Sequence, residues 1–428
     1  MKERSDSMGL DVIELRRNLH QYPEVGFTEF RTASRVVEIL QSLGYEVKYG
    51  QDVMVASAMR GIPAESELTM AYQRALSGVS NPDITRHMQG GLTGVVAVLR
   101  GTHPGPTVAF RFDMDALPIL ESDDIEHTPA ARGFASQHEG QMHACGHDGH
   151  TAVGLMLAEA MSDGQFSGTL KLVFQPAEEG GRGAKAMVEK GVVDDVDTLF
   201  CMHLGLGVPQ GTVCGGTEGW LASTKLKVDF HGVPAHAAAA PELGRNALLG
   251  AATALLNIHA LPRFSSGMTR VNVGVLEGGT APNIIAYHAR MMVEMRAENT
   301  EVSEDLLKRV ERIIDHSAGM HELTYETEII GQAEAIQCDD DVVSMVLEEA
   351  THVDGVEDYR RSHQVGASED ASLLIRRVQE RGGQATYMII GTTIPAPHHH
   401  QKFDIDEQAL PVAVELLTRL AKRTLVRG

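Results

Sequence analysis

Hydrophobic positions recur along this chain with two different periods, and the switch between them lays out the fold. Residues 9–22 and 29–43 carry apolar residues at helical spacing; in the second, Ala33, Val36, Val37, Leu40 and Leu43 share a face and Gly44 closes the segment. Residues 50–90 are less regular, with scattered methionines and helical character over Ala71–Leu76, and read as an insertion or cover. Gly94–Leu99 and Thr107–Phe112 are short apolar runs of the kind that form buried strands, joined by the turn-prone Gly101-Thr102-His103-Pro104-Gly105. Helix and strand then alternate: a helix from His150 to Met161, a strand over Leu170–Phe174, a helix over Arg182–Glu189 and a strand over Thr198–Met202. That alternation predicts an α/β layer on a largely parallel or mixed sheet, in which ligands collect where strands end.

The pattern changes after Trp220. Strands over Thr224–Phe230, Arg270–Leu276, Ala289–Arg296 and Leu323–Ile330, with helices over Asn246–Ala260 and Ser303–Ser317, spell β-α-β-β-α-β, a ferredoxin-like order. Residues 223–333 are therefore expected to form a separate, inserted domain. The α/β character returns with helices over Asp341–Val353 and Glu369–Glu380, a strand over Ala385–Ile390 and a helix over Asp406–Lys422, so residues 334–428 are expected to rejoin 1–222.

Composition narrows the partners. The 428 residues are 43% hydrophobic and 22% charged, which suits a globular protein with sizeable cores. Formal net charge is −21, from 58 acidic against 37 basic residues, which argues against nucleic acid or an anionic membrane surface as partner. A local basic pocket for a small anion is compatible with it. Met1-Lys2-Glu3-Arg4-Ser5-Asp6 has no apolar run of a secretory leader, and no apolar stretch reaches membrane-spanning length. Cys145, Cys201, Cys214 and Cys338 are far apart, without the C-x-x-C pairing of a zinc knuckle or a disulfide framework. The expected compartment is the cytoplasm.

Candidate chemistry gathers at expected strand ends. Met142-His143-Ala144-Cys145-Gly146-His147-Asp148-Gly149-His150 packs three histidines, a cysteine and an aspartate into eight residues. Thiolate and imidazole suit a borderline-soft divalent metal such as zinc; the competing explanation is a loop entering a helix capped by Asp148. Glu178 and Glu179, in Gln175-Pro176-Ala177-Glu178-Glu179-Gly180-Gly181, repel each other unless a cation neutralises them. With a metal present, one can ligate while the other moves a proton. Asp113 and Asp115 follow an earlier strand and His203 ends a later one; taken alone, His203 reads equally as a satisfied structural histidine. Pro397-His398-His399-His400 offers a further ligand without saying which histidine it is. In the middle module His231-Gly232-Val233-Pro234-Ala235-His236-Ala237 and Gly278-Gly279-Thr280-Ala281-Pro282-Asn283 read first as turns, and Arg296 as a surface charge or a carboxylate clamp. Ser368, Glu369 and Asp370 read as the cap and first-turn acids of a helix.

Together, Arg111–Leu117, His143–His150, Pro176–Gly180, His231–His236, Gly278–Asn283 and His399–Phe403 resemble, in order and approximate spacing over nearly the whole chain, the dinuclear metallo-amidohydrolases. That family includes hippurate hydrolase, N-acyl-amino-acid hydrolases and auxin-conjugate hydrolases. The resemblance implies a mixed-sheet, zinc-peptidase-like catalytic domain with an inserted lid and dimerisation domain. It implies two divalent ions, Mn2+ or Zn2+, held by Cys145, His147, Glu179, His203 and His399, with Cys145 between the two metals and Glu178 as general base. It matches His236 to a lid histidine that enters the partner's site in the dimer and polarises the substrate carbonyl. It matches Asn283 and Arg296 to residues that hold the substrate carboxylate. The implied substrate is an N-acyl or N-aroyl amino acid, p-aminobenzoyl-glutamate first and indole-3-acetyl-aspartate next, with the chain as a homodimer or paired with a related second subunit.

Overall fold

The computed structural model describes residues 9–425. The N-terminal stretch read for a leader, up to Asp6, lies outside them. Two compact units emerge: one runs through Glu218 and resumes over Ile336–Val365 and from Asp370 onward, the other comprises Gly219–Ala335 with Gly366–Glu369. In chain order the strands are β1 (Glu46–Tyr49), β2 (Val95–Arg100), β3 (His103–Asp113), β4 (Ser167–Gln175), β5 (Thr198–Leu204) and β6 (Thr212–Cys214). Next come β7 (Ala222–His231), β8 (Thr269–Gly278), β9 (His288–Ala297) and β10 (Thr324–Ala333) of the second unit, then β11 (Asp358–Arg360) and β12 (Gln384–Ile390).

The first unit is built on an eight-stranded mixed sheet in the order β1-β2-β4-β3-β5-β12-β6-β11. Its centre is parallel, β3 pairing with β4 and β5, and β5 with β12, while β1, β2 and β6 bring in antiparallel pairs. Although β2 and β3 are consecutive they do not pair, because β4 lies between them. Central strands read as continuous apolar runs because both faces are covered. Phe110, Phe112 and Phe174 share one core with Leu15 and Leu19 of helix Val12–Gln21, Val36 and Leu40 of Phe30–Ser42, Leu155 of His147–Ala160, and Leu416 and Leu417 of Ala409–Thr424. Gly154 makes the closest of these contacts possible, since a Cβ there would lie 2.6 Å from the Phe112 ring.

Strands mostly extend beyond the apolar runs that announced them, whereas most helices fall short of their expected spans by a residue or more. Helix His147–Ala160 starts three residues before its expected position, and Glu65–Leu76 lengthens the helix foreseen from Ala71. The strands Glu46–Tyr49, Thr212–Cys214 and Asp358–Arg360, of three or four residues each, had no signal of their own, because so short a run carries no period.

The second unit is a four-stranded antiparallel sheet, β10-β7-β9-β8, with helices Ala247–His259 and Thr300–Met320. Along β9 buried and half-buried residues alternate without a break, the mark of a sheet with one packed face. Leu226, Val228, Phe230, Met291, Val293 and Met295 of the sheet meet Ala251, Ala254, Leu306, Val310 and Ile314 of the helices.

Candidate metal centre

The carboxyl end of β3 sets the first fixed points. Asp113 is fully buried; its carboxylate takes the Arg111 guanidinium at 2.6 Å and accepts from His150 Nδ1 at 2.6 Å. His150 in turn accepts the Leu204 amide at Nε2, 3.0 Å, so both its nitrogens are used and it is a structural histidine. Asp115 is a clamp: its two oxygens accept the backbone amides of Glu178 (3.0 Å) and Glu179 (2.9 Å). The loop after β4 is further pinned by Glu29, which accepts the Ala177 amide at 2.8 Å, and Ala177 holds a left-handed φ of 50°. Adjacent carboxylates that would drift apart in solution are thereby held by fixed backbone.

Helix His147–Ala160 begins after Gly146, whose φ of 93° turns the chain so that Cys145 and His147 flank the bend. His147 Nδ1 faces the Asp115 carbonyl at 2.9 Å, which leaves Nε2 as the nitrogen turned to the site; against burial, Asp113 and Cys145 hold His147 well above the usual histidine range, a proton where positive charge is called for. That Nε2 is buried without a hydrogen bond, 4.0 Å from Glu178 Oε2. His203, on β5, repeats the device: Nδ1 bonds the Leu204 carbonyl at 2.8 Å, and Nε2 faces Cys145 Sγ at 3.5 Å. Burial and the neighbouring His150 and His398 hold His203 well below the usual histidine range, which keeps its imidazole neutral.

The tandem histidines diverge. His398 accepts the Leu206 amide at Nε2 (3.1 Å) and turns Nδ1 toward Cys145 Sγ (3.5 Å), the posture of a hydrogen-bond donor to sulfur. His399, at φ 65° and tied to the Ala144 carbonyl through its amide, brings Nε2 to 3.2 Å from Glu179 Oε1. That approach is an ion pair that closes no well-aligned hydrogen bond, so Oε1 is buried without one. Contacts with Cys145 and Glu179 push His399 up to about 10, a proton occupying a place that calls for positive charge.

Two donor sets emerge, Cys145/His147/His203 and Cys145/Glu179/His399, the ligand atoms in each within 4.8 Å of one another, with Cys145 common to both. His147, Glu178 and Glu179 form a third such group. Soft sulfur, imidazole nitrogens and a carboxylate oxygen around one spot fit divalent cations. The orphaned His147 Nε2 and Glu179 Oε1 are what such cations would satisfy. All five residues expected to ligate are brought together.

One competing reading falls away and one expectation is corrected. Asp148 does not cap its helix, whose N-cap is Gly146; its Oδ2 instead accepts Arg16 Nε (2.8 Å) and His20 Nδ1 (2.8 Å) in a buried network with Asp404 and Glu121. Ser368 does not cap Ala371–Glu380; its hydroxyl donates to the Leu221 carbonyl at 2.7 Å. Asp370 is spent elsewhere, accepting Gly183 and Ala184 amides at 3.0 and 2.9 Å at the start of helix Ala184–Glu189, and Gln175 Nε2 at 2.7 Å. The supporting roles of Asp115, Glu29 and His398 had no signature beyond residue type, because each acts on a backbone or side chain distant in sequence.

In the second unit His236 Nδ1 accepts the amides of Ala238 and Ala239, each at 3.2 Å, which leaves the proton on an outward Nε2. Asn283 lies beside it, its carbonyl accepting the Ala237 amide at 3.0 Å. Arg296 does not join them. It pairs in register with Ser223 at the end of β9 by which the chain enters this unit, and its Nη2 donates to Glu294 at 2.9 Å. The other end of β9, at His288, is eight residues away, about 27 Å at strand rise.

A mixed sheet whose strand ends gather Cys145, His147, Glu179, His203 and His399 around a clamped glutamate pair has the makings of a metal-dependent amide hydrolase. The chain belongs to Peptidase family M20/M25/M40, whose description it matches over residues 109–423, and it is an amidohydrolase. It is 45% identical to the indole-3-acetyl-aspartic acid hydrolase of Enterobacter agglomerans over 96% of this chain and 95% of that one. It is 44% identical to one subunit of the p-aminobenzoyl-glutamate hydrolase of Escherichia coli K12, over 95% and 94%. The crystal structure of an aminobenzoyl-glutamate utilization protein from Klebsiella pneumoniae superposes with a TM-score of 0.85 at 41% identity, covering 97% of this chain and 96% of that one. Among the described residues no helix is long and apolar enough to cross a membrane.

Proposed function

We propose that this chain hydrolyses the amide bond of an N-acyl or N-aroyl amino acid, p-aminobenzoyl-glutamate first, releasing p-aminobenzoate and glutamate. The observation that carries the reaction class is the pair of donor sets sharing Cys145 beside the clamped Glu178. The choice of acyl group and amino acid rests on the two relatives at 44–45% identity, and the first of them makes indole-3-acetyl-aspartate the second candidate. Cys145, His147, Glu179, His203 and His399 would hold two divalent cations, manganese or zinc. When bound, those ions supply Lewis acidity, which polarises the scissile carbonyl and lets water lose a proton near neutral pH.

Glu178 takes that proton and returns it to the departing amine nitrogen, so it ends the cycle as it began. Asp115 keeps its backbone in place for both transfers. His236, with its proton fixed on Nε2, is a ready donor to a developing oxyanion. Asn283 and Arg296 take the substrate carboxylate, and their separation along one sheet fits an assembly in which His236 and Asn283 serve a partner's centre. That partner is a second copy or a related, different chain; two of the relatives are themselves named as one subunit of a larger hydrolase or as its homologue. Four free cysteines suit the cytoplasm.

The test is metal content of the purified chain together with release of glutamate and of aspartate from the two candidate amides. About two metals per chain, activity lost to chelator and restored by manganese or zinc, and faster release from p-aminobenzoyl-glutamate are expected. Glu178→Gln should keep the metals and lose at least about a hundredfold in kcat; wild-type turnover in that variant would end the mechanism.

A further inference from the structure

In the loop after β4, side chains hold Glu179 at both ends of its backbone. Its amide donates to Asp115 Oδ2 at 2.9 Å, and its carbonyl accepts Arg182 Nε at 2.7 Å. Glu178 differs: its amide is also on Asp115, but its carbonyl accepts the Gly181 amide at 2.8 Å, an ordinary turn bond. Fixing the N–H and the C=O of one residue leaves its side chain only its own rotamers. Asp115 and Arg182 together therefore aim the Glu179 carboxylate.

Arg182 is itself built in. Its amide donates to the Ala177 carbonyl at 3.2 Å, its Nη1 to the Gly61 carbonyl at 3.3 Å, and its guanidinium lies 5.7 Å from the Phe27 ring centroid. A Cβ on Gly26 would collide with Arg182 Nη2 and lie 2.9 Å from the Ala177 Cα. Gly26 has no left-handed φ, so what this glycine provides is room for the guanidinium. Phe27 is fully buried at a left-handed φ of 67°, which a bulky residue holds only where its surroundings impose it. Gly61 belongs to residues 50–90, the stretch that reads as an insertion or cover. That stretch is tied to helix Ala184–Glu189, the Val55 amide donating to the Ala186 carbonyl at 3.0 Å, and at its far end a Cβ on Gly91 would lie 3.0 Å from Phe27 Cβ. A guanidinium suits the place because its planar fork donates in two directions at once, here to Glu179 and to the cover.

We propose that Arg182 is a positioning residue for Glu179: it keeps that carboxylate beside Cys145 and His399 as one donor set, and through Gly61 it carries the grip of the cover on the loop. The inference rests on the two-cation reading of the site. His147 and His203, which complete the other donor set with Cys145, stand on helix His147–Ala160 and on β5, outside the loop that Arg182 holds. Arg182 therefore bears on one cation and not on the other.

The experiment titrates zinc, and separately manganese, into the full chain stripped of metal, and follows the heat of binding and the metal retained after desalting. Wild type is expected to bind about two metals. Arg182→Met should keep one affinity and weaken the other about ten- to a hundredfold, the scale of a lost partner behind a ligand. Arg182→Lys, which can still reach one carbonyl, should recover part of that loss. Gly26→Ala, which leaves Arg182 in the chain and takes its room, should reproduce the selective loss. These two variants carry the test if the methionine variant does not fold. Turnover by Arg182→Met should return as metal is raised. Two affinities unchanged from wild type would overturn the proposal, and so would an equal weakening of both, which is what general loosening does. A wild-type chain that binds no second metal would instead bring down the two-cation reading, and this inference with it.

Discussion

The two units treat polar groups in opposite ways. In the first, Arg16, Arg111, Asp113, Asp115, His147, Asp148, His150 and His203 are all buried, most of them tied into closed networks. The core of the second is apolar throughout, and its ion pairs stay at the surface: Asp229 meets His288 and Arg290, which are 37% and 39% exposed. Burying charge is costly unless every partner is present, so a fold has reason to do it only where fixed charge is used. The difference assigns the chemistry to the first unit and leaves the second to present side chains on a stable platform.

The contrast can be broken from either side. Arg16→Met should be the most destabilising change, by about 3–5 kcal/mol, because Asp148 and Asp404 would be left buried without their cation. Denaturant unfolding measures it, and a loss below about 1 kcal/mol would mean the network contributes little. Next is His20, which the carboxylates of Asp148 and Glu121 push up to about 9 against burial. Its folded value lies above the ordinary 6.5, so its contribution is fully present below that pH and fades as pH rises through 9. On the order of 3 kcal/mol should go between those limits. Comparing wild type with His20→Gln across that window tests it, and parallel stability curves would count against the ion network.

The second unit predicts activity without stability. His236→Ala should lower kcat about a hundredfold, the scale of a lost oxyanion donor, while melting temperature holds. A drop in melting temperature that parallels the rate would show a structural histidine instead. Smallest of all, Arg290→Ala should cost no more than about 1 kcal/mol, as exposed pairs do.

Much of this was legible in the chain. Periodicity separated an α/β framework from a β-α-β-β-α-β module, because sheets with two covered faces and with one covered face select different patterns. Cys145 and His147 were readable as candidate ligands because they are neighbours in sequence and of telling types. Less legible was how their surroundings orient them. Asp148 and Ser368 looked like caps by residue type, yet the helix beginning at His147 and the one beginning at Ala371 use neither. A side chain's local preference yields when a distant partner, Arg16 for Asp148 or the Leu221 carbonyl for Ser368, offers a stronger bond.

What residue order determined by itself is therefore the framework and the stock of candidate ligands: which segments are strands, that Glu178, Glu179 and His203 fall at or beside their ends, and that Cys145 and His147 lie where a loop enters a helix. Tertiary structure alone decided the assignments within that stock. It turned His398 to the Leu206 amide and His399 to Glu179, clamped the glutamate pair with Asp115, and set Arg296 apart from Asn283. The reason is one of range. Hydrophobic period is a property of neighbours, whereas the direction of a lone pair and the partner of a buried charge depend on groups that only folding brings within about 3–4 Å.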